Sequence, residues 1–104
     1  MKGTFQPTVY IMASQLRGTL YTGVTSDLAS RAYQHREGLI DGFTSDYGVK
    51  MLVWLEHHGT MEAAIQREKR IKKWRRLWKI QLIEETNLHW EDLAVSMLGF
   101  EPLK

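Results

Sequence analysis

The chain has 104 residues, 43% of them hydrophobic and 25% charged, with no cysteine and a formal net charge of +2. That suffices for one hydrophobic core and not two, and it excludes intrinsic disorder, a disulfide scaffold and a cysteine zinc site. No apolar run approaches the ~20 residues that span a bilayer, and the N-terminus lacks the apolar core of a signal peptide, so a cytoplasmic protein without membrane partners is expected.

In chain order, residues 8–13 (TVYIMA) and 19–24 (TLYTGV) are β-branched and aromatic runs. They predict a β-hairpin closed by four or five residues. A four-residue loop sets Tyr10 directly opposite Tyr21 with both phenols on one face, and this is the register expected. A five-residue loop would send them to opposite faces. Gly23 lies two residues past Tyr21, where a missing side chain would let a phosphate backbone come close.

Thr25 or Ser26 then caps a helix from about Asp27 to Glu37, with Asp27 in its first turn and Gly38 closing it. Arg31 and His35 stand one turn apart on it and share a face. A guanidinium can grip phosphate oxygens and offset charge building in a transition state, and a neighbouring imidazole can relay a proton. The bland alternative pairs Arg31 with Asp27. Residues 38–50 hold three glycines and predict a connecting loop anchored by Phe43 and Tyr47. Residues 51–56 (MLVWLE) predict a buried central strand.

Thr60 caps a second helix in which Met61, Ala64, Ile65, Glu68, Ile71 and Lys72 fall on one face. Glu68 is thus an acid on an inward-looking stripe. A carboxylate there is costly unless it is ion-paired or binds a metal. A hard cation such as Mg²⁺ needs only one or two protein carboxylates, because water and substrate phosphate complete its shell. From Arg67 to Lys79 the chain carries eight of its fourteen Lys and Arg against Glu68 alone, so this window holds +7 and the remainder −5. Such concentration predicts a polyanionic partner, with Lys72, Lys73, Arg75 and Arg76 as the contacts, although a solvated helix face would read the same way. Trp74 and Trp78 in this basic segment could stack on bases, but their helical apolar spacing predicts core positions, with a bend near Trp74 before a third helix ending near Glu85. Residues 87–93 pack back. Residues 1–95 form the expected single domain, and 96–104 a loose tail.

Taken in this order, these segments resemble the GIY-YIG nuclease superfamily, in particular its small single-domain bacterial members. Thr8-Val9-Tyr10 and Tyr21-Thr22-Gly23 stand where the family has Gly-Ile-Tyr and Tyr-Ile-Gly. YTGVTSDLASRAYQHREG is similar to the segment carrying the family arginine and histidine, here Arg31 and His35. GFTSDYGVKMLVWLE is similar to the next loop and strand, and AIQREKRIKKWRRLWKIQLIEETN to the metal-glutamate helix, with Glu68 as ligand and Asn87 as the family asparagine. Thr8, Val9 and Thr22 depart from the pattern at packing positions.

The resemblance implies an α+β fold with a small three-stranded antiparallel sheet flanked by helices. It also implies a metal-dependent endonuclease hydrolysing phosphodiester bonds in nucleic acid, DNA before RNA, with Mg²⁺ or Mn²⁺. Tyr10 would be the general base and Tyr21 would orient water or phosphate. Arg31 would stabilise the transition state, His35 would assist, Glu68 would hold the metal and Asn87 would fix the local structure. The competing expectation is a nucleic-acid-binding module of the same fold with little or no catalysis.

Overall fold

The structure is a computed structural model that describes residues 5–40 and 42–103; residues 1–4 of the expected domain and the last residue of the expected tail lie outside them. Strand β1 (Thr8–Ala13) is buried at every position. A strand rich in apolar residues on both its faces belongs in the middle of a sheet covered on both sides. Its antiparallel partners are β2 (Leu20–Thr25) and β3 (Met51–His57), in the order β2-β1-β3. The apolar run at 51–56 is therefore an edge strand and not the central one predicted. Its apolar character comes from helices on both faces: Leu52 joins one core cluster, and Val53 and Trp54 join the other. A bulge opposite the Ile11–Met12 step lets the consecutive Val53 and Trp54 serve the same cluster.

The hairpin differs from expectation by two residues. Tyr10 pairs with Gly23, and Tyr21 pairs with Met12, with residues 14–19 as the loop. A shift of two preserves the strand period, so both tyrosines still share a face although they lie diagonally. The longer loop is held from outside. Arg76 donates to the backbone carbonyls of Arg17 and Gly18, and Arg17 forms a two-point pair with Glu84 at 3.0 Å.

Helix α1 (Leu28–Arg36) begins one residue later than expected, because Asp27 is its N-cap and accepts from the Ser30 amide. Within the following loop a short helix, α2 (Phe43–Asp46), buries Thr44. Val49 is buried just beyond it. The expected anchor Tyr47 is exposed, and the side chain of Phe43 lies outside the described residues. Helix α3 (Met61–Lys72) is capped by Thr60 as expected. The chain bends at residues 73–75 into α4 (Arg76–Thr86) and ends in the short α5 (Leu93–Ser96).

The alternation of β1 divides the core. Val9, Ile11 and Ala13 meet Ala64 and Ile71 of α3, Ile80 and Ile83 of α4, and Trp90. Tyr10 and Met12 meet Leu28 of α1, Val49, Leu52 and Ala94 of α5. Leu98 and Phe100 pack on this second cluster, and Arg36 lies over the Phe100 ring while donating to the Glu101 carbonyl. The segment expected to be a loose tail is therefore docked through residue 101. Asp92 ties these parts together, pairing with Arg36 at 2.6 Å, accepting from the Leu52 amide and capping α5.

Candidate active site

Tyr10, Tyr21 and His35 bring three rings together from β1, β2 and α1. Their centroids are 6.3 Å apart for the two tyrosines, 5.6 Å for Tyr10–His35 and 5.3 Å for Tyr21–His35. The Tyr10 hydroxyl and His35 Nε2 share a 3.0 Å hydrogen bond. Tyr10 is 0% exposed and His35 2%, whereas Tyr21 is half-buried at the rim. Among the described residues nothing hydrogen-bonds His35 Nδ1, although that atom is buried. A buried polar atom left open beside two phenols is uncommon in a purely structural cluster.

Burial pushes the Tyr10 phenol up to about 12, helped by the neighbouring Tyr21 and Glu68 and opposed by the hydrogen-bonding Arg31 guanidinium beside it. Burial, seconded by the Arg31 charge, pushes His35 down to about 4, so its imidazole is neutral near pH 7. Arg31 and Glu68 thus both act on Tyr10, although they come from different helices. The general-base role expected of Tyr10 would call on a hydroxyl that is fully buried and already hydrogen-bonded to His35 Nε2. Tyr21 is the phenol that reaches the surface.

Gly23 is required for a reason other than the one expected. A Cβ at this position would lie 2.5 Å from both Cζ and Oη of Tyr10. The space that a phosphate was expected to approach is filled by the Tyr10 ring, and the glycine sets where that ring lies.

Glu68 is 7% exposed, and its carboxylate pairs with Lys72 Nζ at 2.5 Å, one turn further along α3. The Lys72 ammonium also stands 6.0 Å from the centre of the Tyr21 ring. Helix α3 belongs to the opposite core cluster but contacts the edge strand β2, and its Glu68 and Lys72 reach the tyrosines from there. No three His, Asp or Glu side chains among the described residues form a metal cage. One buried carboxylate does not suit zinc, but it suits a hard divalent cation that keeps its waters and takes substrate oxygens. Glu68 therefore fits a hard divalent cation.

Asn87 does not join this cluster. Its amide donates to the carbonyls of Val53 and Glu91 and accepts from the Glu91 amide, fastening the end of α4 to β3. It shapes the fold and touches no reactive group.

The basic segment divides as well. Lys72 is committed to Glu68 and Arg76 to the hairpin loop, while Arg67 pairs with Glu56 at 3.0 Å. Burial works to raise the Glu56 pKa, but hydrogen bonds from Arg67 and His58 prevail and hold it low. Lys73 and Arg75, like Lys69 and Arg70, are exposed and have no carboxylate partner among the described residues. Trp78, expected in the core, is 49% exposed. The place of Lys72 at the site was missed, though its i, i+4 spacing from Glu68 is a readable signal.

Comparisons with known proteins agree with this fold. The family model described as the GIY-YIG catalytic domain matches residues 6–81. A UPF0213 protein of Aeromonas salmonicida is 32% identical over 81 residues, covering 78% of this chain and 59% of that protein, so the match spans under two thirds of that relative's length. One from Staphylococcus epidermidis is 34% identical over 68 residues, covering 65% of this chain and 83% of its own. The solution NMR structure of the UPF0213 protein of Bacillus halodurans superposes with a TM-score of 0.53 at 27% identity, covering 88% of this chain and 97% of that one. The three-stranded α+β sheet, the converging tyrosines and these matches together establish that the chain belongs to the GIY-YIG family, whose domain is of nuclease type and implies a nucleic-acid substrate.

Proposed function

We propose that the protein is a divalent-metal-dependent endonuclease that hydrolyses phosphodiester bonds, with DNA as the expected substrate. One observation carries this reading: Tyr21, Arg31 and Glu68 gather around the buried Tyr10–His35 pair from two strands and two helices. Tyr21, at the rim, orients the attacking water. Tyr10 is a positioning residue, holding the ring cluster and the neutral His35 in place. Arg31 offsets the charge that develops on the phosphoryl oxygens, where a fixed donor acts more strongly than water does. Glu68 would hold Mg²⁺ or Mn²⁺, which when bound would supply further charge neutralisation to the reacting phosphate. Lys72 pairs with the Glu68 carboxylate until then.

A second reading, a nucleic-acid-binding module of the same fold without catalysis, draws on the tight Glu68–Lys72 pair, which neutralises the carboxylate internally. Labelled DNA and RNA of several structures, incubated with and without Mg²⁺ or Mn²⁺, separate the two. Cleavage should require the cation, stop in chelator and be abolished in Glu68→Gln while binding persists. Metal-independent cleavage surviving that substitution would sink the nuclease mechanism, and binding without cleavage under any condition would leave the second reading.

A further inference from the structure

Three of the basic side chains are accounted for by Glu56, Glu68 and the hairpin loop, but the exposed tryptophan is not. Trp74 lies in the bend between α3 and α4, and Trp78 in the first turn of α4. Their rings meet edge to face at 6.0 Å and 79°. Each carries a guanidinium over its ring, Arg67 at 5.5 Å from Trp74 and Arg75 at 5.4 Å from Trp78. Beside them runs a groove of about 290 Å³ lined by Trp74, Trp78, Gln81, Leu82 and Glu85.

A large indole face kept in water costs stability unless something covers it. Three features narrow the occupant. Indole and guanidinium planes together form a surface on which a nucleobase stacks whatever its identity. Lys69, Arg70, Lys73 and Arg75, exposed and without a carboxylate partner among the described residues, lie in the same stretch of chain and carry charge complementary to a phosphate backbone. Gln81 and Glu85 supply an amide and a carboxylate that can meet the polar edge of a base. A second copy of the chain is disfavoured, because it would oppose two segments that each carry +7. The patch also follows directly on the helix that carries the site's carboxylate: Lys72, two residues before Trp74 in the chain, pairs with Glu68.

We propose that Trp78, backed by Trp74 and flanked by Lys73 and Arg75, stacks an unpaired base of the strand engaged at the Glu68 site. The substrate class is then nucleic acid with a single-stranded segment near the cleaved bond. This rests on the nucleic-acid reading above and adds a structural preference to it.

The test measures binding in chelator, where cleavage cannot intervene. Probes are a labelled single-stranded oligonucleotide and a blunt duplex of the same sequence, at several salt concentrations. Trp78→Ala should weaken single-strand binding by about 5- to 150-fold and leave duplex binding unchanged. Trp78→Phe should retain most of the affinity. Arg75→Gln should flatten the single-strand salt slope by roughly 0.7, which neither Trp78 variant should do. Trp78 is half-exposed, so circular dichroism should show Trp78→Ala folded. Equal losses on both probes, no loss on either, or a wild-type dimer that Trp78→Ala turns into a monomer would each overturn the proposal. Cleavage is scored separately: its absence with stacking intact removes only the nuclease reading, and its presence with Trp78-independent binding removes only this one.

Discussion

On one face of β1, Val9, Ile11 and Ala13 meet a cluster of aliphatic side chains and indoles from α3, α4 and Trp90; on the other, Tyr10 meets Tyr21 and His35 and feels the charges of Arg31 and Glu68. The two faces are one strand read at odd and even positions. The first face is apolar where it is buried, so removing atoms there costs stability in proportion to the space left behind. The second holds an open imidazole nitrogen, a phenol forced far from its usual range and a buried carboxylate, an arrangement that costs stability and is kept where polar groups serve an external partner.

The largest effects should come from changing one residue behind each face. Ile71 is fully buried in the apolar cluster, and Ile71→Ala should cost about 2–5 kcal/mol in denaturant unfolding while cleavage per folded molecule stays the same. Gly23→Ala should do the reverse. Its new methyl would lie 2.5 Å from the Tyr10 hydroxyl, so the ring must move or the strands must part. The overpacking should cost about 1–3 kcal/mol, and turnover should fall out of proportion to that loss. Full turnover in Gly23→Ala would mean that the position of Tyr10 does not matter to the chemistry.

A smaller effect should distinguish the faces by pH. His35 has a folded pKa of about 4, below its ordinary 6.5, because burial and Arg31 disfavour its charged form. Between these values the unfolded chain binds the extra proton, so stability is fully present above about pH 6.5 and falls as the pH drops toward 4. His35→Gln should flatten that fall, as read from melting temperature against pH. Tyr10, raised from 10 to about 12, works the opposite way: its contribution is intact below pH 10 and is lost as the pH rises through 12. If His35→Gln leaves the acid limb unchanged, the imidazole is not the group that titrates there.

How much of this was legible follows from which signals are local. The hairpin, the Thr60 cap, the bend near Trp74 and the shared face of the tyrosines follow from side-chain period and capping chemistry, which act within a few residues. The register of the hairpin was not legible, because its longer loop is held by Arg76 and by the Arg17–Glu84 pair, contacts made across more than fifty residues. The edge position of β3 was hidden for a similar reason: an apolar run reads alike whether a second strand or a pair of helices covers it. The resemblance named the residues that converge at the site, and gave Asn87 the structural part its backbone bonds fit, but not that Gly23 seats Tyr10 or that Lys72 answers Glu68.

The smallest prediction sharpens the comparison on β2, where Thr22 and Thr25 are both buried and only one of them is satisfied. The Thr22 hydroxyl has no hydrogen-bond partner among the described residues and lies opposite Ile11, whose side chain belongs to the apolar cluster. The Thr25 hydroxyl accepts from the Asp27 amide at 3.0 Å and donates to the Asp27 carbonyl, fixing the entry to α1. Valine matches threonine in shape and suits a strand equally well, so replacement changes little besides the hydroxyl. Thr22→Val should therefore stabilise the protein by about 1 kcal/mol, because a buried hydroxyl without a partner carries its desolvation cost uncompensated. Thr25→Val should destabilise it by a similar amount, since the Asp27 groups lose their partner at the N-terminus of α1. Cleavage per folded molecule should stay constant in Thr22→Val, as that side chain points away from Tyr10. Parallel urea titrations of the two variants measure the difference directly, and a loss of stability in Thr22→Val would show that an ordered water or another group satisfies its hydroxyl.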